Sequence, residues 1–423
     1  MPSWTDHAIW WHVYPLGFTG ALHAGPAHRL PRLTDWLDYA IELGANGLQL
    51  GPIFAAESHG YDTVDYFRID PRLGDDADFD KLITAAHDRG LRVLLDGVFN
   101  HVGKGFPVPD RESWLRRTGT GPDDFAVFEG HGSLLALNHD EPAVLDHVVR
   151  VMNHWLDRGA DGWRLDAAYA VPPKFWRAAL ERVRPQHPEA WFVGEVIHGD
   201  YAGYLRESTL DGITQYELWK AVWSSLNDGN LFELSWALER HQELLAAGTP
   251  LTFVGNHDVT RLASRLTDER HVGHALAVLF TTGGVPSVYY GDEQAFRGVK
   301  EDRAGGDDAV RPEYPAVPAG LAPYGWPVYR LHQRLIGLRR RHPWLAHART
   351  ASAHLTNEAA AFTATDPHDP SARLVTLLNV GDQPYTFPID VTGLRAAETS
   401  AEGADTATAT VPAHGWMILT TAQ

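Results

Sequence analysis

The 423-residue sequence contains no cysteine. That removes disulfides, thiolate metal sites and cysteine nucleophiles at once. Basic residues are scarce: 36 Lys and Arg stand against 54 Asp and Glu, a formal net charge of −18. Nucleic acid and anionic membrane surfaces both call for a basic face, so neither is an expected partner. No uninterrupted apolar run reaches the roughly 18 residues that a membrane-spanning helix needs. The opening stretch M-P-S-W-T-D-H-A-I-W-W has neither a basic n-region nor a long apolar h-region, so no signal peptide is expected and the cytoplasm is the expected location. Neutral ligands stay open.

What remains is an ordinary globular composition, 44% hydrophobic and 21% charged, in a chain too long for one small core. Short apolar runs recur at 9–16, 47–52, 92–98, 162–166, 191–196, 212–218, 251–256 and 285–291, and each reads as a strand. Between them, Leu33 to Leu43, Phe79 to Arg89, Ala143 to Leu156, Arg270 to Thr281 and Val328 to Arg341 carry apolar residues at helical spacing. Eight strands alternating with helices predict an α/β fold, a (β/α)8 TIM barrel over residues 1–344, with a doubly wound sheet as the alternative.

Two stretches break the pattern. Between about 101 and 137, Gly, Pro and charged residues make the connection after the third strand far longer than usual, an insertion that would overhang the active face. From 345 to 423 the helical period disappears, and strand-like runs at 358–363, 373–380, 383–389 and 415–420 predict a C-terminal antiparallel β-sandwich.

In a parallel barrel the functional groups come from the carboxyl ends of strands. The run G-W-R-L-D (162–166) puts Arg164 and Asp166 on one strand face, opposite Trp163 and Leu165. Asp96 to His101, Glu195, and Asn256 with His257 and Asp258 fall at the ends of three further strands. A single strand-end acid is usually a helix cap or a solvated loop residue, and most of the 15 Trp belong to the core. No H-E-x-x-H or comparable spacing joins the histidines, so no metal centre is predicted. Four strands that each deliver polar groups at their carboxyl ends outweigh the bland reading and point to carboxylate-pair chemistry.

D-G-V-F-N-H (96–101), G-W-R-L-D-A-A (162–168), G-E-V-I-H (194–198) and V-G-N-H-D (254–258) resemble, in order and spacing, the four signature regions of the α-amylase family, glycoside hydrolase family 13. H-G-Y-D-T-V-D-Y (59–66), A-L-N-H-D-E-P (136–142) and G-G-V-P-S-V-Y-Y-G-D-E (283–293) extend the likeness over essentially the whole chain, leaning to the intracellular neopullulanase, cyclomaltodextrinase and α-glucosidase-like branch. The resemblance implies a retaining hydrolase of α-glucosidic bonds in short α-gluco-oligosaccharides. Asp166 would be the nucleophile, Glu195 the general acid and base, and Asp258 the acid holding the sugar's 2- and 3-hydroxyls. In such a pair the carboxyl groups stand about 5–5.5 Å apart. Arg164 would keep Asp166 ionised. His101 and His257 would donate to the sugar, Tyr61 would form its apolar floor, and Asp62, Asp307 and Arg311 would grip its far side. Asp96 and Asp161 are read as structural acids.

No cofactor is required by this chemistry. Structural calcium is possible by resemblance, through Asn100 and the region of His198, but is not predicted, because the short insertion offers no identifiable carboxylates for it. With the first strand near residue 9, the dimerising N-terminal extension of the neopullulanases has no counterpart, and a monomer or a homodimer is expected. A transglucosidase or phosphorylase would use the same intermediate, and a non-catalytic binding relative is the third reading. The grouping of Asp166, Glu195 and Asp258 speaks against the last, since a binding module has no use for clustered like charges.

Overall fold

The computed structural model describes residues 2–303, 305–400 and 404–421. Eight parallel strands form the barrel: β1 (Trp10–Val13), β2 (Gly47–Leu50), β3 (Arg92–Gly97), β4 (Gly162–Leu165), β5 (Trp191–Gly194), β6 (Gly212–Ile213), β7 (Leu251–Phe253) and β8 (Val285–Tyr289). They pair in the order β6-β5-β4-β3-β2-β1-β8-β7, and a parallel bridge between Thr214 and Leu251 closes the ring. Each strand is almost wholly buried, which is why these runs read as continuous apolar stretches rather than alternating ones.

Helices α1 (Leu37–Leu43), α2 (Asp76–Asp88), α3 (Pro142–Asp157), α4 (Pro173–Val183), α5 (Tyr201–Ser208), α6 (Tyr216–Asp228), α7 (Phe232–Leu245), α8 (Val272–Thr281) and α9 (Trp326–Arg341) surround the ring. Their starts are written locally. Asp75 and Asp78 form a reciprocal capping box on α2, and Pro142, Pro173 and Pro327 occupy first-turn positions where no N–H is needed. Among the described residues no helix is long and apolar enough to cross a membrane.

The floor of the barrel is built on two indoles. Trp10 and Trp191 stack inside it with ring centroids 5.8 Å apart and planes 9° from parallel. The Trp10 ring fits because the adjacent strand presents glycine: a Cβ on Gly47 would lie 2.4 Å from it. Gly162 allows a close backbone approach instead, since a Cβ there would lie 2.1 Å from the Trp191 carbonyl oxygen. Above this layer the interior turns polar, with Gln49 accepting from Ser287 at 3.1 Å and Arg164 reaching upward. The apolar floor thus delivers the polar layer to the carboxyl mouth.

The C-terminal strands β9 (Arg349–Leu355), β10 (Ala359–Thr365), β11 (Arg373–Asn379), β12 (Leu394–Thr399) and β13 (Trp416–Thr421) form an antiparallel sheet in the order β9-β10-β11-β13-β12. Val375 and Leu377 pack with Phe387 and Val411 beneath a two-stranded ribbon, Tyr385–Thr386 with Thr410–Val411. The alternate residues Leu374 and Leu378 join the main core, and Thr376 donates to the Thr281 hydroxyl of α8 at 2.9 Å. The sandwich therefore has one full layer and one ribbon.

Two predicted strands differ from the structure. The run 212–218 stops being a strand at Ile213, because the Gln215 side chain accepts from the Leu218 N–H and starts α6 at Tyr216. The run 383–389 yields only the two residues Tyr385–Thr386. The insertion folds as a short hairpin, His101–Gly103 against Leu134–Ala136, extended by bridges Leu115 to Leu137 and Val127 to Leu135.

Gly162→Ala should lose about 1–3 kcal/mol of unfolding free energy or more, since the clash is with backbone. Gly132→Ala, with nothing within 4 Å of the added carbon, should be neutral. Urea midpoints of the two variants check this, and equal midpoints would contradict it.

Candidate active site

Arg164 projects from β4 into the barrel mouth, with only 3% of its surface exposed. Its Nη1 donates to Asp96 Oδ1 and Oδ2 at 2.8 and 3.0 Å and to Asp166 Oδ1 at 2.8 Å. Its Nη2 pairs with Glu195 Oε1 at 2.7 Å. One guanidinium therefore gathers three buried carboxylates from the ends of β3, β4 and β5. Arginine suits this place because its planar fork stays charged and presents several donors in fixed directions.

Glu195 has further partners. The Ala167 N–H donates to its Oε2 at 2.9 Å, and the Tyr216 hydroxyl donates to its Oε1 at 3.1 Å, with Asn256 donating to that hydroxyl at 2.8 Å. Ala167 sits at φ 44°, ψ 37°, a left-handed conformation that costs a non-glycine residue roughly 1–2 kcal/mol. The turn directs its N–H across to Glu195.

On the opposite side of the mouth, Arg311 donates to Asp258 Oδ1 at 2.8 Å and to the His257 carbonyl at 3.0 Å, and pairs with Asp307 at 3.1 Å. His257 Nε2 lies 2.9 Å from Asp258 Oδ2. The Tyr61 hydroxyl contacts this same nitrogen and donates to Asp96 Oδ2 at 3.1 Å. Tyr14 lies under the Arg311 guanidinium at 4.7 Å from its ring centre.

Burial raises Asp96 to about 8 and Asp166 to about 6, with Arg164 pulling both back. Burial also raises Glu195, opposed by Arg164 and reinforced by Asp166 and Asp258. For Asp258 burial pushes upward too, but His257, Arg311 and Arg164 together outweigh it and hold the carboxyl well below the usual range. Three carboxylates on one guanidinium titrate as a unit, and near neutrality such a unit carries a proton while Asp258 stays ionised.

The structure brings Asp166, Glu195, Asp258, Tyr61, Arg164, His257, Asp307 and Arg311 together. Asp62 is buried beside them, accepting from Ser58 at 2.5 Å while its Oδ1 has no partner among the described side chains. The histidines lie at the mouth with bonds of their own. His101 uses both ring nitrogens, Nε2 with the Tyr61 carbonyl at 3.0 Å and Nδ1 with Asn100 Nδ2 at 3.1 Å, and stacks on Phe128. His257 Nε2 is held by Asp258 and Tyr61. A sugar contact from either Nε2 would have to share or displace these bonds. Asp161 lies at the opposite, amino end of β4, bound to His87, Arg92 and the Val93 N–H at 2.8, 2.6 and 2.8 Å, as expected of a structural acid.

Around Asn100, the side-chain Nδ2 meets His101 Nδ1 at 3.1 Å and the backbone carbonyl accepts from Leu137 at 3.0 Å. Three of the insertion's acids serve their own loop: Asp110 caps Glu112, Glu112 pairs with Arg117, and Asp124 accepts from the Gly121 N–H.

The sequence reasoning missed Tyr14, Tyr216, Tyr169 and Glu129. Glu129, at φ 47°, accepts from the Tyr169 hydroxyl at 2.5 Å and places a further carboxylate close enough to raise Asp166. Position just beyond β1 marks Tyr14, but nothing in the local sequence distinguishes Glu129 from other loop acids.

A (β/α)8 barrel with clustered acids at its carboxyl mouth defines the class of protein. The family model described as the alpha-amylase catalytic domain matches residues 13–115 and 112–317, and the chain belongs to that family. It is 30% identical to a cyclomaltodextrinase of Bacillus sp over 70% of this chain and 61% of that protein. It is 29% identical to an intracellular maltogenic amylase of Bacillus subtilis (strain 168), over 70% of this chain and 57% of that one. The chain thus spans about six-tenths of the length of these relatives. The ligand-free cyclic α-maltosyl-(1→6)-maltose hydrolase from Arthrobacter globiformis superposes with a TM-score of 0.83 at 26% identity, covering 100% of both chains.

Arg164→Met should destabilise the fold by about 3–5 kcal/mol at neutral pH, by leaving buried carboxylates unpaired. In the variant those groups keep protons that the unfolded chain releases above about pH 4, so the deficit should grow as pH rises and shrink toward pH 4. Chemical denaturation at several pH values measures this; a pH-independent deficit would contradict it.

Proposed function

We propose that this chain hydrolyses α-glucosidic bonds of short α-gluco-oligosaccharides, linear or cyclic malto-oligosaccharides, with retention of anomeric configuration. The observation that carries the reading is the single Arg164 guanidinium bound to both Asp166 and Glu195. It favours the close-set carboxyl pair of a double-displacement mechanism over the wider pair that must admit water between its members.

Asp166, ionised at neutral pH, attacks the anomeric carbon while Glu195 gives its proton to the leaving oxygen, forming a β-glycosyl-aspartate. Glu195 then takes a proton from water, which opens the ester to return an α-anomer. Asp258, kept ionised by His257 and Arg311, is poised to accept the sugar's 2- and 3-hydroxyls, where hydrogen bonds strengthen as the ring flattens. Tyr61 supplies an apolar surface, and Asp62, Asp307 and Arg311 bind the far side of the ring. His101 and His257 donate to the same sugar, and His101 also meets the Tyr61 carbonyl. The reaction needs no cofactor. The cyclomaltodextrinase and maltogenic amylase among its relatives support this substrate class and, the latter being intracellular, a cytoplasmic setting. A monomer or homodimer acting on oligosaccharide, without nucleic acid or membrane, fits the acidic charge.

Proton NMR of the protein with maltotriose and a cyclodextrin should show an α-anomer as first product. Asp166→Asn should lose more than about a thousandfold in turnover yet still bind sugar. A β-anomer, or unchanged turnover in the variant, would overturn the reading. New inter-sugar linkages without matching free sugar would make the chain a transglucosidase instead.

A further inference from the structure

Far from the barrel mouth, Asp268 and His271, just before α8, meet His414 from the turn before β13. His271 Nε2 stands 3.0 Å from His414 Nδ1, and Asp268 Oδ2 is 3.9 Å from that same Nδ1. The three ligand atoms all lie within 4.8 Å of one another.

His414 Nε2 lies 2.7 Å from Asp382 Oδ1, and its Nδ1 faces Nε2 of the buried His271 at 3.0 Å. Either a proton or a metal ion between these two nitrogens satisfies both. Two nitrogens bound to one zinc ion at about 2.0–2.1 Å stand about 2.9–3.3 Å apart for angles near 90–110°. A carboxylate holding the far N–H of a ligating histidine, as Asp382 does here, is the usual outer support of such a site. His414 is held at φ 50°, a left-handed conformation unusual for a residue with a side chain.

We propose that Asp268, His271 and His414 bind one zinc ion that ties the barrel to the C-terminal sheet. Arg270 also grips the Asp268 carboxylate, at 3.0 Å from Nε to each oxygen, so the ion shares this ligand with a guanidinium and the histidines supply most of the affinity. Asp268 and Asp382 together offset part of the charge of the ion and of Arg270.

Calorimetric titration of the full chain, stripped with chelator and then given zinc chloride near neutral pH, tests this. One equivalent should bind and raise the melting temperature. His271→Ala and His414→Ala should each weaken binding at least about tenfold, while far-ultraviolet dichroism reports whether they fold. Cobalt added to the unaltered chain should give visible bands that zinc abolishes, a readout independent of any variant. Absence of zinc binding, pointing to a shared proton alone, would overturn the proposal. So would full binding in the double variant, which would place the ion elsewhere, as beside His28, Asp75 and Asp78.

Discussion

The charge of Arg164, buried at the barrel mouth, is the constraint on which the rest of the site depends. Three carboxylates brought out of water within reach of one another would repel, and desolvation alone would drive them all to protonate. One guanidinium that touches all three offsets enough of that cost to leave the group with fewer protons than carboxyls. An ionised acid next to a protonated one is the combination that nucleophile and proton donor require. Lysine would not serve, because its compact ammonium lacks the fixed fork that reaches Asp96 and Asp166 from one nitrogen and Glu195 from the other.

Holding that guanidinium at the right height is a packing matter. Trp10 and Trp191 fill the lower barrel, Gly47 makes room for the Trp10 ring, and Gly162 lets the backbone at Trp191 come close. Gly162 and Arg164 share one inward face of β4, so the close approach below and the charge above are set by a two-residue alternation. The mouth is then completed from outside the ring. Tyr216 from the first turn of α6 and the left-handed Ala167 each give Glu195 a donor, and Arg311 holds Asp258 from the long segment after β8.

Much of this was legible in the sequence, for reasons that are physical. Buried parallel strands need apolar residues on both faces, so an Arg and an Asp at the end of one stand out. Four such strands announced the barrel and its functional face together. The strand at 212–218 was over-read because I-T-Q-Y-E-L has β-type composition, and only the Gln215 cap reveals that a helix begins inside it. Tyr216 escaped notice because it lies inside the run read as a buried strand, and its bond to Glu195 joins elements that only the closed barrel brings together. The roles of His101 and His257 were drawn from resemblance, and the bonds to both ring nitrogens of His101 and to Nε2 of His257 depend on the packed mouth. The second sandwich layer shrank to a ribbon because β11 buries its other face against α8.

The most direct measurement is to trap the intermediate. Incubation with a fluorinated α-glucosyl fluoride that forms the covalent species faster than it hydrolyses, followed by peptide mass spectrometry, should find one sugar esterified to Asp166. An adduct on another residue, or release of product with no adduct under conditions where turnover is observed, would contradict the central place given to the Arg164-held pair.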